Sequence, residues 1–174
     1  GPTVMSGYYH KPEATAEAFT ADGWFRTGDA GYMDKSGNLF LTDRIKDLFK
    51  TSNGKYIAPQ AIETRLGTDK FIEQVAVIGD GYKYVSALIV PSFAALRAWA
   101  DDKKIAYGSI EELLDDKRVN EMMEKRLEVL QKGLAPYEKI KRFKLLPHEF
   151  TMDSGELTNT LKLKRRVINK NYAH

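Results

Sequence analysis

Five consecutive turn formers, Asp34-Lys35-Ser36-Gly37-Asn38, stand between two strand-like runs, Ala30 to Asp34 and Leu39 to Asp43, and force the chain to reverse there. Glycine takes positive φ readily, so the segment predicts a β-hairpin with Lys35 to Asn38 as its loop. Asp34 then faces Leu39, and antiparallel stepping brings Asp29 opposite Arg44. Partners across such a ladder lie about 4.5–5.5 Å apart at Cβ. The open end of the hairpin therefore presents a carboxylate beside a guanidinium, preceded by Thr27 and Gly28, where backbone can approach a ligand closely. A carboxylate that accepts two hydroxyl protons and a guanidinium that donates as a fork together suit a vicinal diol such as a ribose. The alternative is that Asp29 and Arg44 only pair with each other at an exposed sheet edge, a contact of about 0–1 kcal/mol.

Further along, Phe49-Lys50-Thr51 and Lys55-Tyr56-Ile57 flank Ser52-Asn53-Gly54, a tight-turn signal that predicts a second small hairpin. Pro59 followed by Gln60 to Leu66 and Gly67 reads as a short helix with Ile62 and Leu66 inward and Glu63 solvated or locally paired. Gln74 to Gly79 and Tyr84 to Val90 read as a central hairpin joined through Asp80-Gly81, and the unbroken apolar run Ala87 to Val90 predicts a strand covered on both faces. Ser92 is placed as the N-cap of a helix that buries Leu96 and Trp99, and Ser109 with Glu112 stands at capping-box spacing. From Val119, the positions Met122, Leu127, Leu130 and Leu134 form one helical stripe, read as core. Lys141 to Pro147 alternates as a strand, and Val167-Ile168 begins a terminal helix.

The 174 residues contain no cysteine, which excludes thiolate catalysis and cysteine-based zinc sites. No run approaches the roughly 20 apolar residues that a spanning helix needs, and the expectation is a cytoplasmic chain. The net charge of +3 is mild, although Lys139 to Arg142 and Lys162 to Arg166 concentrate it, as solvated faces or phosphate contacts. The abrupt start, without methionine at position 1, suggests a piece of something larger.

The chain resembles the C-terminal portion of the adenylate-forming superfamily, most closely a long-chain fatty acyl-CoA synthetase. The residues that carry the resemblance are Gly7-Tyr8-Tyr9, Pro12 to Thr15, Gly23 to Asp29, Asp43 to Asp47, Pro59 to Glu63 and Thr158 to Arg165. It implies an α+β fold, with residues 1–43 as the tail of a large adenylation domain ending in a β-hairpin and residues 44–174 as a mobile C-terminal lid domain. That lid is expected to hold a central three-stranded antiparallel sheet with flanking helices and a two-stranded hairpin. The resemblance also implies an acid–thiol ligase that forms acyl-AMP from a fatty acid and ATP with Mg²⁺, then passes the acyl group to coenzyme A. By the same resemblance, Asp29, Arg44 and Thr27 belong to the nucleotide site, Lys46 is the hinge, Gly54 lines the approach of the CoA thiol, and Lys162 drives adenylation. Lys162 follows Thr158-Asn159-Thr160-Leu161, in which Leu161 replaces the commoner glycine.

No metal ligands within the chain, no nucleic-acid partner and at most peripheral membrane association are expected, and the fragment alone is expected to be inactive without the missing N-terminal domain. Two other readings stand beside this one. An acyl-AMP ligase would hand its product to a carrier protein instead of CoA. A basic α+β module would bind nucleic acid through its two cationic stretches, although no aromatic residues are interleaved there as stacking platforms.

Overall fold

The computed structural model describes residues 1–172. Its contacts divide the chain into two compact units, Gly1–Lys46 and the part from Asp47 onward. The division falls after Lys46 and not after Asp43. Asp43 and Arg44 stay in the hairpin ladder, and the Ile45 amide donates to the Gly28 carbonyl at 2.8 Å.

In the first unit, α1 (Pro12–Ala18) opens on proline, which lacks a donor at a position that has no acceptor. The strands β1 (Asp29–Met33) and β2 (Leu39–Arg44) then pair antiparallel. The turn is one residue longer than predicted: Met33, not Asp34, faces Leu39. The cause is the Asp34 carboxylate, which accepts from the Ser36 and Asn38 amides at 2.8 and 2.9 Å and so joins the loop. A β-bulge at Thr42 restores the lost residue, so that Ala30 faces Asp43 and Asp29 faces Arg44. Gly31 makes the close strand approach possible, because a Cβ there would lie 2.5 Å from the Phe40 carbonyl oxygen.

In the second unit, β3 (Phe49–Lys50) and β4 (Tyr56–Ile57) form the small hairpin, followed by α2 (Pro59–Leu66). The strands β5 (Ile72–Ile78) and β6 (Val85–Pro91) pair antiparallel. Next come α3 (Phe93–Asp102), α4 (Ile110–Asp115), α5 (Lys117–Leu130), β7 (Ile140–Leu145) and α6 (Arg165–Asn171). The three-stranded sheet, in order β5-β6-β7, is mixed and not antiparallel, because β7 runs parallel to β6. Three helices lie between those strands, and such a crossover returns the chain to the end where β6 began.

The two-sided burial expected of β6 is present. Ala87 and Ile89 enter a core built with α2, α3, α4 and α5, whereas Leu88 and Val90 enter a second core with Leu146, Phe150, Leu157 and Ile168. On α5 the inward stripe is Val119, Met123 and Leu127, so Met122 stands at its margin. On α3, Leu96 and Ala100 are buried, while Trp99 is half-buried. Ser92 occupies the N-cap of α3 without a side-chain hydrogen bond, but Ser109 caps α4 by accepting from the Glu112 amide at 3.2 Å.

Leu96 is fully buried and Val129 is exposed. Leu96→Ala is expected to lower unfolding free energy by roughly 2–5 kcal/mol, whereas Val129→Ala should shift it by about 0.5 kcal/mol or less. Urea denaturation of the two variants checks the contrast.

Candidate functional site

At the open end of the first hairpin, the ladder places Asp29 against Arg44 as the residue count predicts. Arg44 Nε donates to Asp29 Oδ1 at 2.9 Å, with the guanidinium side chain 60% and the carboxylate 25% exposed. Arg44 Nη1 also donates to the Thr27 carbonyl at 3.3 Å, and Thr27 Oγ1 accepts from the Asp29 amide at 3.1 Å. Thr27, Asp29 and Arg44 therefore form one polar cluster. The two side chains bind each other, and they do so facing solvent. An exposed contact of this kind contributes about 0–1 kcal/mol, little enough for a diol to exchange for it.

The hairpin that presents this cluster is set by Asp34. The Asn38 side-chain amide, at 3.0 Å from Oδ2, together with the Asn38, Ser36 and Gly37 backbone amides, holds the Asp34 carboxyl below the usual carboxylate range. Lys46 follows in the turn after β2 and is exposed.

In the second unit, Gly54 sits in the β3–β4 turn at φ +76°, where the Gly54 amide donates to the Thr51 carbonyl at 2.8 Å. This turn is tied to the one after β5: Asn53 Nδ2 donates to the Lys83 carbonyl at 3.3 Å, and the Ser52 amide donates to the Tyr82 carbonyl at 2.9 Å. Lys162 is exposed on a loop of its own. Its amide donates to Thr158 Oγ1 at 3.1 Å, and its carbonyl accepts from the Thr158 amide at 2.8 Å. Leu161, at the position of the commoner glycine, has φ +58° and is 68% exposed. Lys162 lines a groove of about 340 Å³ together with Asp47, Gln60, Glu63, Leu161 and Arg165.

That groove contains what the sequence reading missed. Glu63 is not solvated: its carboxylate takes Arg165 as a fork, with Nη1 at 2.7 Å and Nη2 at 2.5 Å. The signal was present, since Glu63 stands on the inward stripe of α2 between Pro59, Ile62 and Leu66, and a carboxylate there requires a partner. The pair also breaks up the second cationic stretch, because Arg165 turns inward while Lys162, Lys164 and Arg166 remain exposed. In the first stretch, Arg142 lies over the Tyr84 ring at 5.8 Å. Among the described residues, no group of three or more His, Cys, Asp or Glu could hold a metal ion, and no helix is long and apolar enough to cross a membrane.

A solvent-facing Asp–Arg–Thr cluster on a hairpin is followed by a small α+β domain that carries Lys162 on an exposed loop. Residues 46–174 match the AMP-binding enzyme C-terminal domain, and the chain belongs to that family. Long-chain-fatty-acid–CoA ligase FadD15 of Mycobacterium tuberculosis is 37% identical over 174 residues, which is 99% of this chain and 29% of that protein. Human long-chain-fatty-acid–CoA ligase 1 is 39% identical over 175 residues, covering 99% of this chain and 25% of that protein. The chain thus spans less than a third of the length of these relatives. Among solved structures, the adenylation domain of the carboxylic acid reductase from Segniliparus rugosus, in complex with AMP and a co-purified carboxylic acid, is similar with a TM-score of 0.77 and 28% identity. It matches 98% of this chain, which corresponds to 25% of that one. The adenylation domain of the Mycobacterium chelonae carboxylate reductase has a TM-score of 0.75 at 29% identity, over 97% of this chain and 25% of that one.

Two measurements test the local geometry. Because the folded-state pKa of Asp34 lies below its unfolded value, its contribution is present above the unfolded value and is lost as pH falls through the folded one. The Ser36 and Asn38 amide protons should therefore titrate in NMR spectra with a midpoint below the ordinary carboxylate value, and Asp34→Ala should remove that transition. For Gly54, an added Cβ meets nothing nearer than 3.8 Å, so Gly54→Ala is expected to cost only the left-handed backbone penalty of about 1–2 kcal/mol. Urea unfolding reads that cost, and a larger loss would mean the turn is packed more tightly.

Proposed function

We propose that this chain is the closing portion of an ATP-dependent long-chain fatty acid–CoA ligase, active only with the N-terminal domain that precedes it in the full-length enzyme. The observation that carries the reading is the register of the first hairpin, which puts Asp29 and Arg44 side by side and open to solvent. In this reading Asp29 accepts the ribose hydroxyl protons of ATP, Arg44 donates to the same sugar, and Thr27 supports both. Support for the missing domain comes from the hairpin itself, which leaves Tyr32, Met33, Leu39, Phe40 and Leu41 exposed. A run of large apolar side chains on so small an element marks a surface that another part of the protein covers.

The reaction has two steps. The fatty acid carboxylate attacks the α-phosphorus of ATP and displaces pyrophosphate, and the CoA thiol then attacks the acyl carbonyl and releases AMP. Lys162 acts in the first step. Two anions must meet there, and an ammonium delivered between them offsets their repulsion and stabilises the charge that develops at the phosphorus. Its placement on an exposed loop supports this role, because the charge stays available to a ligand. Mg²⁺ bound with ATP would offset part of the phosphate charge, a task assigned to none of this chain's own residues. Lys46 is the pivot between the two steps, since a hinge needs only a few element-terminal residues that can change φ and ψ. Gly54 keeps a side chain out of the path by which the thiol arrives. The cytoplasm is the compartment we assign to the full-length enzyme.

In the full-length enzyme, Lys162→Ala is expected to reduce acyl-AMP formation roughly a hundredfold to a thousandfold. Thioester formation from supplied acyl-AMP should stay within about twofold, as for a residue used in one transition state alone. Equal loss in both steps would remove Lys162 from the adenylation role. Offering CoA and a carrier protein as competing acceptors decides the second step, and exclusive transfer to the carrier would replace the CoA-ligase reading.

A further inference from the structure

The loop that carries Lys162 keeps a backbone conformation that its own sequence does not favour. Leu161 lies in the left-handed region at φ +58° while its side chain points to solvent, so neither β-carbon sterics nor burial explains why the conformation persists. The two hydrogen bonds between Thr158 and Lys162 close the loop upon itself. They do not fix it to the domain. Fixation comes from the segment on the C-terminal side of Lys162: Leu163 bridges to Leu157, the Lys164 amide donates to the Glu156 carbonyl at 2.7 Å, and Arg165 reaches Glu63, 102 positions away in sequence.

Leu157 and Leu163 seat the two ends of the loop at the second core, and of the attachments just named Arg165 is the one that reaches α2. Arg165 Nη1 and Nη2 grip the two Glu63 oxygens, Nη1 also donates to the Val77 carbonyl at 3.2 Å, and Glu63 Oε1 accepts from the Val77 amide at 2.7 Å. The side chains are only 19% and 10% exposed. One fork thus locks the start of α6 to both α2 and β5. Burying two charges is a weak way to gain stability, since a well-packed apolar pair commonly does as well. What a bidentate fork adds is fixed distance and fixed orientation. Glu63, Arg165 and Lys162 line the same groove, and Arg165 begins its helix three residues after Lys162.

We propose that the Glu63–Arg165 ion pair positions Lys162, setting where its ammonium can reach while neither member touches substrate. This rests on the adenylation role proposed for Lys162. Both members are positioning residues, and the fork itself, beyond the charges, is the functional element.

The test uses the full-length enzyme carrying Glu63→Gln, Arg165→Lys or Lys162→Ala, with each half-reaction assayed separately. For Glu63→Gln and Arg165→Lys, kcat of acyl-AMP formation is expected to fall roughly tenfold to a hundredfold, as for a reacting group misplaced by a remote change. The KM for ATP and the rate of thioester formation from supplied acyl-AMP should each stay within about twofold. Tryptic cleavage after Lys162 should accelerate in both variants, reporting release of the loop independently of activity. Parallel loss of both half-reactions, including loss through failure to fold, would make the pair merely structural and overturn the proposal. So would retention of full adenylation by Arg165→Lys. If Lys162→Ala abolishes acyl-AMP formation while the two pair variants keep it, only the positioning proposal fails. If Lys162→Ala spares acyl-AMP formation, the adenylation reading fails first and this one with it.

Discussion

Strand β6 is the element on which the second unit depends, because its successive side chains feed two different cores. Ala87 and Ile89 point into the helical layer, and Leu88 and Val90 point toward the segment that includes Phe150, Leu157 and Ile168. A strand buried on both faces cannot shift register by one residue without exchanging every contact on each side. That fixes β5 on one edge and β7 on the other. The approaches to the Lys162 loop inherit the same rigidity, since Leu157, Leu163 and Ile168 all belong to the second core or pack against it.

Two carboxylate–guanidinium pairs in this chain have the same chemistry and opposite consequences, and burial decides which. Asp29–Arg44 is solvent-facing, so it contributes about 0–1 kcal/mol and can be exchanged for a ligand at little cost. Glu63–Arg165 is largely buried, and removing one partner from such a pair typically costs roughly 3–5 kcal/mol because the other charge is left uncompensated. The roles proposed for them follow that difference: recognition for the exposed pair and held geometry for the buried one. Arginine uses more than one donor in each: Arg165 meets both Glu63 oxygens in a planar fork, and Arg44 meets one Asp29 oxygen and the Thr27 carbonyl.

Much of this was legible in the residues, and the failures have identifiable causes. The Asp29–Arg44 juxtaposition followed from counting outward from a turn, yet it came out right through two errors that cancel. The Asp34 carboxylate lengthened the loop by one residue, and the Thr42 bulge shortened the offset by one. Neither is visible to a rule that treats turn residues as generic. The two-sided burial of β6 was legible because an apolar run carries it directly. The parallel partner β7 was not, since strand direction depends on the helices between strands and not on the strand's own pattern. Glu63 was misjudged for a different reason. Its place on the inward stripe of α2 signals that it needs a partner, but that partner lies 102 positions away, and local spacing does not say which residue it is.

Leu161 shows how these constraints meet at one residue. Leucine in the left-handed region is disfavoured by about 1–2 kcal/mol, and glycine would adopt the same turn without that cost. Glycine would also widen the set of backbone conformations open to the loop when it is not engaged. On the adenylation role proposed for Lys162, its ammonium gains from a loop with few alternatives, because each additional conformer dilutes the one that is competent. Strain of this size persists only where the surroundings over-determine the backbone, and here they do: Thr158 closes the loop and the Glu63–Arg165 fork fixes its exit. The left-handed leucine and the buried ion pair are in this sense one device, in which stability held in the domain keeps a short exposed segment in a single shape.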